Sequence, residues 1–302
     1  MDHIQLLTLH AIYEADSEGR LPAYLGSTIR GVIGHRLREY ACQHPNLPCH
    51  RCTLSKECSY ALHFCSPGNE GGAVNPYVLR PLVRDKEIWH AGERMTFEIT
   101  LIGRTSEQAA FFIDALQDDR RQGWGAGRMP FRLQQIVDPI RGTLIWSDGR
   151  TWLRNCQPMP IPLEQRRARS VLLRFDHPLR LLVNRRLRNS LSFVDLIQSL
   201  TRRLSLLSQA YTDKHVQWNE EDLLKAASKI HTAAERWRPV DFKRYSINRA
   251  EGDKLSLPAI EGWVRYEGDL TPFTPLLAAG ERIHIGKNAT IGFGRYQAIY
   301  DQ

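Results

Sequence analysis

The chain has 302 residues, 42% hydrophobic and 25% charged, a globular balance that excludes disordered and fibrous classes and leaves room for one large domain or two ordinary ones. Lys and Arg number 41 against 33 Asp and Glu, a net charge of +8 with a pI of 9.3, which points to a polyanionic partner. No run of eighteen apolar residues occurs and Met1 to Tyr13 lacks the basic and apolar regions of a leader, so no membrane role and a cytoplasmic location are expected.

In chain order, Ile4 to Tyr13 reads as a strand and Ser27 to Tyr40 as a helix with Ile29, Ile33, Leu37 and Tyr40 on one face. At 100° per residue the opposite face carries Gly31, Gly34, His35 and Arg38. Each glycine costs a helix about 1 kcal/mol relative to Ala, so the spacing predicts that something approaches this backbone closely, sheet packing included. Cys49, Cys52, Cys58 and Cys65 follow as C-x2-C-x5-C-x6-C. Four thiols so close in a reducing compartment point to a closed zinc shell that would hold an insert together; an iron–sulfur cluster uses the same ligand type, and thiols without metal are the plain alternative. Cys42 and Cys156 stand apart.

Met95, Phe97, Ile99 and Leu101 alternate with polar residues as in a half-buried strand. Thr105 with Gln108 forms a capping signature, and Ala109, Phe112, Ile113 and Leu116 keep helical spacing until near Gly123. Phe131, Leu133, Ile136 and Val137 resume a strand. A second round begins with a strand at Ser170 to Phe175 and a long helix after Ser192, with Phe193, Leu196, Ile197, Leu200, Leu204 and Leu207 on one side. Asn219 is placed to cap a helix running through Leu223, Ala226, Ala227 and Ile230 to Arg238-Pro239. Strands are expected at Phe242 to Ile247, Leu255 to Tyr266 and Thr290 to Tyr300, with a short helix near the Pro-rich stretch Thr271 to Gly280.

This order is the split βαβ arrangement twice over: an α+β chain of two tandem ferredoxin-like (RRM-like) domains. The first spans 1–150 with the four-cysteine insert at about 45–67, a linker holding Pro158, Pro160 and Pro162 spans 151–165, and the second spans 166–302. Gly123-Trp124-Gly125-Ala126-Gly127-Arg128 before the last strand of one half matches Gly292-Phe293-Gly294-Arg295-Tyr296 in the other. Between Arg166 and Arg203 lie ten Arg, no Lys, and only Asp176 and Asp195 as acids; a solvated basic face is the bland reading, guanidinium forks for phosphate the sharper one. Gly286, Gly292 and Gly294, with Lys287 and Arg295 among them, would let backbone N–H groups approach a phosphate chain, although the Walker spacing is absent. His284 sits beside this loop.

Leu21-Pro22-Ala23-Tyr24-Leu25-Gly26-Ser27-Thr28-Ile29-Arg30-Gly31 and Cys49 to Pro67 resemble the opening of certain CRISPR-associated repeat-RNA endoribonucleases, the Cas six family of the RAMP superfamily. His177-Pro178-Leu179-Arg180, Arg244-Tyr245-Ser246, His284-Ile285-Gly286-Lys287 and Gly292-Phe293-Gly294-Arg295-Tyr296 resemble that family's later landmarks in the same order, so the likeness spans nearly the whole chain. It implies tandem ferredoxin-like domains and single cuts within each repeat of a precursor RNA. By position it also implies catalytic roles for His35, Tyr24 and Lys287; His284 in the loop departs from the pattern and leaves open whether one His or two move protons. A 2'-OH would attack the adjacent phosphorus, giving a 2',3'-cyclic phosphate and a 5'-OH without metal. Arg30, Arg38, Arg128, Arg180, Arg185, Arg186, Arg202 and Arg295, with the loop glycines, would bind RNA, and Tyr24, Trp124 or Phe293 could stack bases unless they are core. Repeat RNA and its crRNA product, and other Cas subunits of an effector complex, are the implied partners. A non-cutting RAMP subunit holding guide RNA, or a zinc-containing DNA-binding adaptor, fits the same charge and glycines.

Overall fold

Apolar alternation along Gln5–Ala15 buries Leu7, Leu9, Ala11 and Tyr13, and this strand, β1, forms the centre of the first sheet. The computed structural model describes residues 1–66, 74–117, 123–183, 185–245 and 254–301. Two compact units emerge: residues 3–160 with 206–214, and residues 1–2 and 161–205 with 215–302.

In the first unit β1 is followed by α1 (Gly26–Ala41), β2 (Tyr77–Pro81), β3 (Arg94–Ile102), α2 (Ala109–Gln117), β4 (Phe131–Asp138) and β5 (Thr143–Ser147). The sheet order is β2-β3-β1-β4-β5, antiparallel throughout, with Leu9 opposite Ile99 and Tyr13 opposite both Met95 and Leu133. Ile29, Ile33 and Leu37 of α1 and Phe112, Ile113 and Leu116 of α2 join these strand residues in one core. Each such side chain removed from water stabilises by about 1.5–3 kcal/mol. Arg36, 4% exposed, reaches across from α1 and donates to the Ala115 and Leu116 carbonyls at 3.0 and 3.3 Å, satisfying the end of α2 with a cation.

The second unit repeats the plan with β6 (Ser170–Leu179), α3 (Phe193–Tyr211), α4 (Glu220–Ala227), β7 (His231–Tyr245), β8 (Lys254–Glu267), α5 (Thr274–Ile283) and β9 (Gln297–Tyr300). Its order, β7-β8-β6-β9, is again antiparallel and topologically the same as β2-β3-β1-β4, so both units are ferredoxin-like. Val171 opposite Tyr266 and Leu173 opposite Val264 are wholly buried, and Phe193 meets Tyr266 and Phe273 edge-on at 5.0 Å.

Several expectations are corrected. The helix capped by Asn219 ends at Ala227, and the stretch through Arg238-Pro239 is strand, held by fourteen-residue β8 alongside it, with Pro239 opposite Ile260. Pro is tolerated there because β7 lies at the sheet edge. Residues 246–247 of the strand expected from Phe242, Ser246 and Pro67 of the resemblance, and the helix end expected near Gly123 at 118–122, lie outside the described residues. Tyr40 is 47% exposed and does not share the buried face of α1. Only Gln297–Tyr300 of the last expected strand is ladder, because Ala289–Ile291 turns helically and Gly292 and Gly294 take positive φ. Met159–Pro160 in the expected linker pairs with Gln5 and Leu6 of β1 and so extends the first sheet.

Candidate nucleic-acid interface

Burying Ile29, Ile33 and Leu37 turns the other side of α1 outward, and His35 is exposed there with no hydrogen bond or ion pair among the described residues. Gly31, one turn earlier, has open space where a Cβ would stand. Gly34 differs: a Cβ there would lie 2.6 Å from the Phe64 ring of the insert, so the close approach is made by Phe64 and not by a strand. Phe64 is stacked on Tyr60 and Tyr77 with centroids 5.6 and 4.9 Å away. Tyr24 is half-buried just before the helix. Arg30 donates from Nε to the Tyr77 hydroxyl at 3.2 Å and lies over Phe64, and Arg38 donates to the Pro45 and Leu47 carbonyls at 2.7 and 3.2 Å. Arg38 thus ties the start of the insert to the helix, and Arg30 ties the helix to β2 while covering Phe64 of the insert.

The expected four-sulfur shell does not form. Burial and the neighbouring Cys65 raise the Cys49 thiol pKa, while Cys58 Sγ faces the Ala41 carbonyl at 3.7 Å. Among the described residues no three His, Cys, Asp or Glu side chains converge where one metal ion could be held, and Cys52 adds no ligand to the pair. The donors as arranged do not fit zinc or an iron–sulfur cluster. Other contacts fasten the insert: Asn75 Nδ2 donates to the Phe64 carbonyl at 2.9 Å, His63 Nδ1 meets Thr105 Oγ1 at 2.8 Å, and Tyr211 donates to Ser66 Oγ at 2.9 Å.

The Gly-rich loop is built by its own backbone. Gly286, Gly292 and Gly294 have φ of 71°, 98° and 75°, where a side chain is strained. A Cβ on Gly294 would stand 1.8 Å from the Ile285 oxygen, and one on Gly286 2.6 Å from the Arg180 oxygen. Their N–H groups are engaged: Gly294 donates to Pro178 at 2.7 Å, Gly292 to Ala289 at 3.0 Å, and Gly286 to Ser199 Oγ at 3.4 Å. These glycines thus serve the loop's fold, which corrects the expectation of N–H groups open to phosphate. His284 is likewise corrected as a proton-transfer group. It is 2% exposed, its Nδ1 meets the Phe293 carbonyl at 3.2 Å, and burial, then the charges of His177, Arg203 and Arg295, hold its pKa well below the usual imidazole value. Lys287 is exposed, anchored by its N–H to the Arg180 carbonyl at 2.8 Å.

Arg295 donates from one nitrogen, Nη1, to both Asp176 oxygens at 2.9 and 2.6 Å. Burial pushes the Asp176 carboxyl up, but the Arg295 charge outweighs it and holds the pKa low. Arg128, Arg185, Arg186 and Arg202 are exposed, and Arg180 is half-buried. Trp124 at 1% and Phe293 at 0% exposure are core and not stacking faces. Sequence reasoning passed over Arg203, which is 8% exposed on α3. The signal was there: it stands three residues after Leu200 and four before Leu207, on the apolar stripe.

Two ferredoxin-like units in one basic chain define the class: a double-domain α+β protein. Residues 173–296 match the family model described as CRISPR-associated endoribonuclease Cas6, and residues 4–158 match one described as an N-terminal domain. The Cas6 match lies in the second half of the chain. Among solved structures it is similar to a partial Cas6-RT-Cas1–Cas2 complex (TM-score 0.64, 10% identity, 99% of this chain and 46% of that one). It is also similar to a Cas6 product complex (0.60, 14%, 97% and 100%) and to Thermus thermophilus Cas6 (0.55, 13%, 98% and 99%). It spans 46% and 29% of the two chains from Cas6-RT-Cas1–Cas2 complexes. No curated protein matches. No helix among the described residues is long and apolar enough to cross a membrane.

Proposed function

We propose that this protein is the endoribonuclease that cuts CRISPR precursor RNA within its repeats and binds the crRNA produced. The Cas6-family match over the second unit carries this reading, and the duplicated ferredoxin-like fold and basic surface support it. The chemistry is transesterification, with the substrate's own 2'-OH as nucleophile and no metal in the step. His35, exposed beside the open surface at Gly31, is the proton-transfer group, since an imidazole nitrogen can act as base or acid. Tyr24, just upstream of α1, is assigned to orienting the negatively charged phosphorane, and the exposed Lys287 ammonium of the second unit to holding RNA charge. Arg128, Arg185, Arg186 and Arg202 provide exposed charge for RNA phosphates. Other Cas proteins are proposed partners, since one similar structure is named as a Cas6-RT-Cas1–Cas2 complex.

The deciding experiment mixes the pure protein with its repeat RNA in EDTA. One defined cut with a cyclic phosphate end is expected, abolished by a single 2'-deoxy substitution at the cut position. His35→Ala should lose cutting by at least about a hundredfold while keeping RNA affinity, since general acid–base catalysis contributes about 10²–10⁴. Binding without any cut would instead make it a subunit that only holds RNA.

A further inference from the structure

Beneath the Gly-rich loop the second unit buries a charge with nothing to balance it. Arg203 is 8% exposed, its Nε is sealed from solvent without an acceptor, and it forms no ion pair among the described residues. Burial alone pulls its pKa down to about 10; no carboxylate opposes the shift. A buried guanidinium without a partner is among the costliest groups a fold can carry, so its retention points to an anion that the fold receives.

The surroundings fit such a ligand. Ser199, one turn before Arg203 on the same side of α3, bonds the Gly286 N–H through its hydroxyl at 3.4 Å, which sets this side of the helix against the loop. The loop is fastened in turn to the end of β6, where Lys287 N–H donates to the Arg180 carbonyl at 2.8 Å. Arg180 itself is half-buried and also has an Nε sealed without an acceptor. The buried His284 of the same loop lies close enough to Arg203, His177 and Arg295 for their charges to hold its pKa down, after burial itself. Both oxygens of the nearby acid, Asp176, accept from Arg295 Nη1.

We propose that the inward side of α3, the end of β6 and the Gly-rich loop form a seat for one phosphodiester of the bound RNA, with Arg203 and Arg180 as its charged donors. Planar guanidinium forks match the paired oxygens of a phosphate, and half-buried Arg180 is still reached by solvent. The choice of RNA rests on the function proposed above; the anion seat itself rests on the orphaned cations.

The test uses Arg203→Met, close in length but uncharged, and Arg203→Lys. With RNA absent, Arg203→Met should melt at the wild-type temperature or higher, because an uncompensated charge is gone. Its affinity for repeat RNA should fall about tenfold. The slope of log affinity against log salt should become shallower by about 0.7–0.9. Sodium sulfate, compared with sodium chloride at equal ionic strength, should raise the melting temperature of wild type more than that of Arg203→Met, with Arg203→Lys between them. Should Arg203→Met fail to fold, a scan of single neutral methylphosphonate linkages through the repeat serves on wild type; one linkage is expected to cost about tenfold. Unchanged RNA affinity in a folded Arg203→Met, equal sulfate effects on wild type and variant, or a scan with no sensitive linkage would each overturn the seat. A sulfate effect that depends on Arg203 in a protein that ignores repeat RNA would uphold the seat and refute the RNA assignment.

Discussion

Gly294→Ala separates two meanings of the Gly-rich loop: a surface kept bare for a ligand, or a backbone that must fold back on itself. At φ +75° an alanine costs about 1–2 kcal/mol. Its Cβ would also stand 1.8 Å from the Ile285 oxygen, a backbone atom held by its own chain and unable to step aside as a flexible side chain would. Relief requires loosening the Ile285 N–H bond to the Gly294 carbonyl (3.0 Å) and the Gly294 N–H bond to Pro178 (2.7 Å). At about 1 kcal/mol each, the total reaches about 3–4 kcal/mol. For a body of this size that lowers the melting temperature by roughly 6–16 °C. Thermal unfolding followed by circular dichroism without RNA measures it directly. A fall of less than about 3 °C together with a large loss of RNA affinity would refute the self-packing account and restore the ligand one.

The two glycines of α1 should behave oppositely. Gly31→Ala meets nothing and should stabilise the free protein by about 1 kcal/mol in urea unfolding, whereas Gly34→Ala must displace Phe64 and should cost about 1–3 kcal/mol. Acid sensitivity should centre on His284, pushed down by burial and the basic groups around it. Above about pH 6.5 it is neutral folded or unfolded; as pH falls through 6.5 the unfolded chain takes up a proton that the fold refuses. Stability should then decline by up to about 1.4 kcal/mol per pH unit, and His284→Asn should flatten denaturation midpoints between pH 6.5 and 5. Tyr211→Phe removes hydrogen bonds to Ser66 Oγ and the Val74 carbonyl, both 2.9 Å, and should cost about 1–2 kcal/mol in the same urea assay; no change would mean that other contacts hold the insert.

Periodicity in the sequence carried most of the architecture, because β1, β3, α1, α2 and α3 each bury one face and must repeat apolar residues at 2 or 3.6. It misled at His231 to Arg238, where Ala233, Ala234, Glu235 and Arg236 favour helix but pairing with β8 decides for strand. That edge strand is exposed along both sides through Arg236, so no alternation could announce it. The candidate site was legible in residue types and not in depth. His35 follows from helix geometry alone, since its neighbours fix which way it faces. His284, Arg295 and Phe293 sit in a loop without a repeat, and nothing in their order says that one is sealed, one is paired and one is core.

The long helix α3 starts at Phe193 in one body, yet residues 206–214 count with the other. Its closing turn presses on Gly103, where an added Cβ would lie 2.3 Å from the Tyr211 carbonyl oxygen. A single scissor-cut therefore cannot divide this polypeptide into two finished pieces. A fragment ending at residue 160 would lack a plug supplied some fifty positions downstream, and its counterpart would trail an amphipathic stub with nowhere to go.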